Sequence, residues 1–373
     1  MRRVLAGVLA ASALLAAVAI PGAASAEAPE PYVVAVGDIA CAQATVRTAT
    51  ACHEDATAAL FGLGGALAGP DLRAVLVLGD AQYPSGKYSD FTYVNANCSV
   101  APVGTGPCSF QGSFGSSQAT TAAEWRPTTG NHEYKDPTAP FTGCRLQATT
   151  AAGLPYQACG YEQFFGSDVV APTVNGNGKG NYAFQYDVGA PHPILFLSLN
   201  VGQCDKNAAY CSATGPVVAF VQQTLASPTL NPAEACVVVY WHQPRWSAYG
   251  HANYGKAGPI WQALFAPLES GRPDLVLNGH SHGYQRFRPI SKAGLQGTSA
   301  SSIPEIIVGT GGANLQPTSF PTTTNKPGAP LVSDLDTYGI LRLGWSSAAG
   351  TLSTAFYAAG ATTPTDTAIY SCR

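Results

Sequence analysis

Residues 74–80 read Ala-Val-Leu-Val-Leu-Gly-Asp: five apolar side chains in a row, then a glycine, then a carboxylate. The same grammar recurs at Tyr32 to Val36 before Gly37-Asp38, at Val237 to Tyr240 before His242, and at Leu275 to Leu277 before Asn278-Gly279-His280. Near-continuous apolar runs of this length read as strands covered on both faces. Ile194 to Leu199 and Ile303 to Val308 look alike but lack the chemically able ending. Ligand groups of open α/β sheets collect at the carboxyl ends of strands, so four such endings locate a site before any residue is given a role. Between the runs, Ala56 to Leu67, Pro216 to Leu225 and Pro259 to Glu269 have helical spacing. Tyr338 to Leu343 and Thr351 to Tyr357, either side of Ala348-Ala349-Gly350, read as a β-hairpin. Parallel strands, helices and a hairpin together predict a mixed α/β (α+β) sandwich.

The chain has 373 residues, 46% hydrophobic and 11% charged, with a formal charge of −3. That composition excludes a disordered polymer and a multi-span membrane protein. Lys and Arg number 19 and form no cluster in sequence, so the basic stripe that a nucleic-acid backbone demands is missing. Arg2 and Arg3 precede an apolar stretch from Val4 to Ile20; Pro21-Gly22 break it and Ala24-Ser25-Ala26 offer a cleavage site. Residues 1–26 therefore read as a signal peptide rather than a membrane anchor, with no anchor left after cleavage and a secreted product. All ten cysteines lie beyond it, which suits an oxidising compartment. Local spacing favours Cys41 with Cys52, Cys98 with Cys108, Cys144 with Cys159 and Cys204 with Cys211, leaving Cys236 for Cys372. A zinc cluster is the rival reading, but no CxxC pair occurs. Residues 27–373 show no repeat. Their best linker candidate, Gln316 to Pro330, is followed by renewed structure-like patterning, so one domain with long loops is expected.

Asp38, Asp80, Asn131, His132, His242, His280 and His282 offer oxygen and imidazole donors, a mixture that suits Zn, Fe or Mn. Gly37, Gly79, Gly130, Gly279 and Gly283 lie beside or near most of them, and glycine lets backbone approach a site closely. Any one of them has an ordinary explanation as a turn or surface residue. Their order along the chain is harder to dismiss.

The series Gly37-Asp38, Gly79-Asp80 with Tyr83, Gly130-Asn131-His132-Glu133, Val239 to His242 and Gly279-His280-Ser281-His282 resembles the calcineurin-like metallophosphoesterases, and within them most resembles the purple acid phosphatases. The resemblance spans about residues 32 to 286. It implies a two-layer mixed β-sandwich flanked by helices, a binuclear metal centre at its edge, and hydrolysis of phosphate esters by a metal-bound hydroxide. Most members of the superfamily have DxH in the first motif, whereas here Asp38-Ile39-Ala40 lacks that histidine. Purple acid phosphatases make the same exchange, supplying a tyrosinate from GDxxY. Tyr83 then either binds a ferric ion or merely packs in a turn.

Carried over residue by residue, the resemblance implies one ion on Asp38, Asp80, Tyr83 and His282 and a second on Asp80, Asn131, His242 and His280, with Asp80 bridging. The implied cofactors are Fe(III) and a divalent Zn, Fe or Mn ion. Such a pair would outweigh two carboxylates and a tyrosinate, leaving positive charge for a phosphate oxyanion. His132 would be a catalytic acid rather than a ligand. His251 resembles in placement a second substrate-side histidine, or is a plain surface residue. His53 and His192 read as structural. Gln243, Arg245, Trp246, Tyr284, Arg286 and Glu133 are candidates for supporting contacts. Aromatics in the segments 84–126 and 133–181 could grip an apolar ester or simply fill the loops' own cores. The expected activity is a secreted phosphomonoesterase acting on a small phosphate ester, with a phosphodiesterase or phospholipase C-like hydrolase second and a non-catalytic binding protein third. The oligomeric state is not legible.

Overall fold

The computed structural model describes residues 30–100, 103–136, 142–149, 155–249, 251, 255–266, 273–297, 301–316 and 329–372. The signal peptide expected at 1–26 lies outside them, as does most of the linker candidate. The four strands that carry polar endings form where expected: Tyr32–Val36, Leu72–Leu78, Cys236–Trp241 and Leu275–Asn278. They fall into two sheets. The first runs Asp366–Ser371, Thr351–Ala358, Gly339–Ser346, Tyr32–Val36, Leu72–Leu78, Glu124–Thr128. The second runs Val332–Asp334, Tyr284–Arg286, Glu305–Val308, Leu275–Asn278, Cys236–Trp241, Ile194–Ser198, Tyr182–Tyr186. Each has a parallel centre, Tyr32–Val36 with Leu72–Leu78 and Glu124–Thr128 in one, Ile194–Ser198 through Glu305–Val308 in the other.

Burial on both faces explains the unbroken apolar runs. Phe196, Val238, Tyr240, Leu275, Leu277, Ile306 and Val308 share one core with the first sheet. Their strand neighbours Leu197, Val237, Val239, Val276 and Ile307 point the other way, into a second core with Val217, Val221, Ile260 and Trp261. Those last four belong to the helices Pro216–Leu225 and Gly258–Ala263, so helices cover the outer face. The first expected helix is short. Only Glu54–Ala58 is helical, because Gly64 turns at φ +79° and Gly65 sits so close to the Ala59 carbonyl that a Cβ would lie 2.2 Å from it. The third helix ends by Ala263, and 267–269 lie outside the described residues.

Two strands differ from the sequence reading. Glu124–Thr128 carries Glu124, Arg126 and Pro127 and has no apolar run; it forms at the sheet edge, where proline is tolerated. Ile303 to Val308 is broken at Pro304 into Ser302–Ile303, paired with Ile290–Ser291, and Glu305–Val308 in the main sheet. The hairpin forms as Gly339–Ser346 and Thr351–Ala358, with Asp366–Ser371 added outside it. The four disulfides favoured by spacing, Cys41–Cys52, Cys98–Cys108, Cys144–Cys159 and Cys204–Cys211, are present, as is the remaining pair Cys236–Cys372. No described helix is long and apolar enough to cross a membrane.

Candidate metal centre

The parallel strands of both sheets end at one edge of the sandwich and deliver their polar endings to it. Asp38 follows Tyr32–Val36, Asp80 follows Leu72–Leu78, Asn131 and His132 follow Glu124–Thr128, His242 follows Cys236–Trp241, and His280 and His282 follow Leu275–Asn278. Asp38, Asp80 and His280 take positive φ, at 59°, 46° and 68°. Such backbone is uncommon for residues with a side chain and persists only where the surroundings enforce it. Here Asp38 N–H donates to the Gly79 carbonyl and Ile39 N–H to that of Asp80, locking the first two turns together. Two glycines make the convergence possible. A Cβ at Gly79 would lie 2.7 Å from the His242 ring, and one at Gly130 would lie 2.1 Å from Asp80 Oδ1.

Two donor groups result. Tyr83 Oη is 3.1 Å from Asp38 Oδ1, 3.1 Å from Asp80 Oδ2 and 3.1 Å from His282 Nε2, and His282 Nε2 is 3.2 Å from Asp38 Oδ1. His242 Nε2 is 3.2 Å from Asp80 Oδ2 and 3.2 Å from His280 Nδ1, and Asp80, His242 and His280 each place a ligand atom within 4.8 Å of the others. Asp80 Oδ2 is common to both groups. A carbonyl can only accept, so His242 Nδ1–H donates to Leu78 and His282 Nδ1–H to Asn314, leaving each Nε2 lone pair aimed inward. Histidines that bind metals are held this way through the other nitrogen. Asn131 Oδ1 is buried with no hydrogen-bond partner, the condition of an acceptor facing a cation site. The residues present therefore fit two ions that share Asp80. Cys41, Cys52 and Glu54 also cluster, but both sulfurs are consumed by a disulfide.

The electrostatics agree. Burial opposes ionisation of Asp80, but His242, with His132 and His280 behind it, outweighs burial and holds the carboxyl well below its usual range. Burial likewise disfavours charge on His242, yet Asp80 and Asp38 push it up to about 10. A pocket that drives protonation of a fully buried imidazole is one that seeks positive charge. Burial, then Asp80 and Asp38, raise the Tyr83 phenol well above its ordinary value, so only a strong cation would ionise it.

His132 lies beside the donor groups. Its Nδ1–H donates to Pro84 at 2.8 Å, and Nε2 is 4.0 Å from Asp80 Oδ2 and 2.7 Å from Lys135 Nζ. His251, exposed and at φ 56°, brings its ring centroid to 4.9 Å from that of His280 and 6.0 Å from that of His282. All nine sequence-derived site residues thus meet at this edge. His53 contacts Thr48 and Arg47 and stacks on Tyr338, remote in role from the centre. Glu133 supports the loops directly: Oε2 accepts from Asp80 N at 3.0 Å and Gly130 N at 2.6 Å, and Oε1 from Ala81 N at 2.9 Å. Arg286 braces the C-terminal strand through Asp366, and Arg245 lies over the Trp246 ring. Phe91, Phe110, Phe114, Tyr161 and Phe165 are buried together and join the core shared with the first sheet, so these loop aromatics pack rather than line the site. Asn314 and Lys135 were not legible as site residues; the Gly309-Thr310-Gly311-Gly312 run that leads to Asn314 is the signal that could have found the first.

This two-sheet sandwich shares its fold with a purple acid phosphatase and with PhoD. Among solved structures, the purple acid phosphatase PPD1 from yellow lupin (Lupinus luteus) seeds matches with a TM-score of 0.59 and 16% identity, over 92% of this chain and 54% of its own. PhoD matches with a TM-score of 0.51 and 12% identity, over 93% of this chain and 69% of its own. This chain spans about half the length of the lupin protein, and at these identities the likeness is one of fold. No protein-family model and no curated protein sequence matches the chain.

Proposed function

We propose that the chain is an exported binuclear-metal phosphoric ester hydrolase, like a purple acid phosphatase, that takes small phosphate monoesters. The observation that carries this reading is the position of Asp80 Oδ2, 3.1 Å from Tyr83 Oη and 3.2 Å from His242 Nε2, between two donor groups. Asp38, Asp80, Tyr83 and His282 would hold one ion and Asp80, Asn131, His242 and His280 the other. Bound there, a ferric and a divalent Zn, Fe or Mn ion supply Lewis-acid charge to phosphoryl oxygens and acidify water. His132 is fixed through Nδ1–H, and its Nε2, which faces the Lys135 ammonium at 2.7 Å, would take a proton from that side and pass it to the departing oxygen. His251, whose ring centroid is 4.9 Å from that of His280, would hydrogen-bond a phosphate oxygen. Five disulfides support export, since they persist in oxidising compartments.

The test is hydrolysis of p-nitrophenyl phosphate and bis-p-nitrophenyl phosphate by purified protein before and after chelation. Chelator-sensitive cleavage of the monoester is expected. Preference for the diester would replace the monoester reading by a phosphodiesterase. Cleavage of neither, with metals bound, would reduce the chain to a binding protein.

A further inference from the structure

A cavity of about 480 Å³ opens away from the donor groups, lined by Arg145, Gln147, Lys179, Gln203, Asn207 and Tyr210 and by none of the nine site residues. Its volume falls in the range of small-molecule sites. Lys179 belongs to the run Asn175-Gly-Asn-Gly-Lys-Gly-Asn181, which the sequence reading left without a role. That run is pinned through its backbone: the Lys179 carbonyl accepts from Asn200 Nδ2 at 2.8 Å and from the Tyr210 hydroxyl at 2.7 Å. Gly180 takes φ +80°, and a Cβ there would lie 2.8 Å from Asn200 Nδ2. The main chain of the lysine is thus held while the residue stays exposed, and no described carboxylate lines the cavity. Arg145 Nη1 donates to the Ala171 carbonyl at 2.6 Å, and its Nη2 reaches only the exposed Asp168 carboxylate, at 4.0 Å.

Three carboxamides complete the polar lining, and each keeps one group unspent. Gln147 Nε2 donates to the Cys144 carbonyl at 2.8 Å, which leaves its Oε1. Asn207 Oδ1 accepts from Ala209 N at 3.2 Å, which leaves its Nδ2. Gln203 Oε1 accepts from Asn200 Nδ2 at 3.4 Å, which leaves Nε2 on a residue only 8% exposed. A donor so withdrawn from solvent calls for an acceptor in the cavity. Two cations without a close carboxylate call for an anion. A bare oxyanion only accepts and would leave the Gln147 oxygen unmatched, whereas a hydroxyl both donates and accepts. We propose that this cavity binds a small acidic sugar, its carboxylate on Arg145 and Lys179 and its hydroxyls on Gln147, Gln203 and Asn207. The site is separate from the candidate metal centre, and the proposal does not rest on the phosphoesterase reading.

The experiment is calorimetric titration of the full chain, before and after chelation, with galacturonate and with its neutral counterpart galactose. One galacturonate should bind per chain in both states, at least about tenfold more tightly than galactose, the scale of one charge-assisted contact. Lys179→Ala keeps the carbonyl that pins the run, so it should leave the melting temperature unchanged and weaken galacturonate about tenfold, toward galactose. Gln147→Ala should weaken galacturonate by about threefold, the scale of a neutral hydrogen bond. Galacturonate bound no more tightly than galactose, or bound by both variants as by the native chain, overturns the proposal. So does binding that disappears on chelation, which would place the acid on the metals instead.

Discussion

Glu133 Oε2 accepts the backbone N–H of Asp80 at 3.0 Å, so the residue shared by both donor groups is held through its own main chain by a buried carboxylate. The same side chain accepts from Ala81 and Gly130, joining two loops that arrive from different strands. Glu133→Gln replaces one acceptor by a donor that would face an N–H. The variant should lose about 1–3 kcal/mol, the penalty for unsatisfied buried partners, measured by urea denaturation. Native stability in the variant would show that Glu133 does not hold these loops.

His132 is placed to act on the departing group without being a metal ligand. His132→Ala should retain the metal content of the native protein and lower kcat by about 10²–10⁴-fold, the usual contribution of a positioned acid. Metal analysis alongside steady-state kinetics separates the two roles. Loss of metal in this variant would make His132 a ligand and overturn its assignment.

Tyr83 tests the identity of one ion. Burial and two neighbouring carboxylates hold its phenol protonated far above neutrality, so ionisation calls for a cation of high charge. If that cation is ferric, the purified protein should absorb visible light through the tyrosinate, and Tyr83→Phe should be colourless. An active, colourless, iron-free native protein would instead assign the site to Zn or Mn.

Glu54 provides a pH prediction away from the centre. It is buried beside Cys108, whose N–H donates to Oε1, while Oε2 has no partner. Burial pushes its carboxyl up to about 8 from an ordinary 4.5. Because the folded value is the higher one, the folded state retains the proton longer. The contribution to stability is full below pH about 4.5 and is lost as pH rises through about 8. Glu54→Gln should remove this slope, so the stability difference between variant and native chain should grow in the variant's favour between those limits. A constant difference across that range would mean that Glu54 is not buried as a neutral acid.

The parts of the fold that were legible from sequence are those where one physical demand dominates. Strands buried on both faces must be apolar throughout, and Tyr32–Val36, Leu72–Leu78 and Cys236–Trp241 announced themselves for that reason. The short cysteine spacings favoured four local pairings among the many that ten cysteines admit. Glu124–Thr128 was hidden because an edge strand tolerates Pro127 and charged neighbours, so its pattern resembles a loop, although it delivers Asn131 and His132. The site donors were legible as an ordered set because most follow an apolar strand run and lie at or near a glycine. The roles of Glu133, Asn314 and Lys135 depend on contacts between distant segments: Asn314 pairs with His282, 32 residues away, and no local pattern encodes such a meeting.

Metal counting by plasma mass spectrometry on the native chain and on Asp80→Ala tests the two-ion arrangement most directly. The native chain should hold two ions, and the variant should lose both, because one carboxylate oxygen stands between the Tyr83 and His242 groups. Two ions retained per variant chain would contradict a centre built on Asp80.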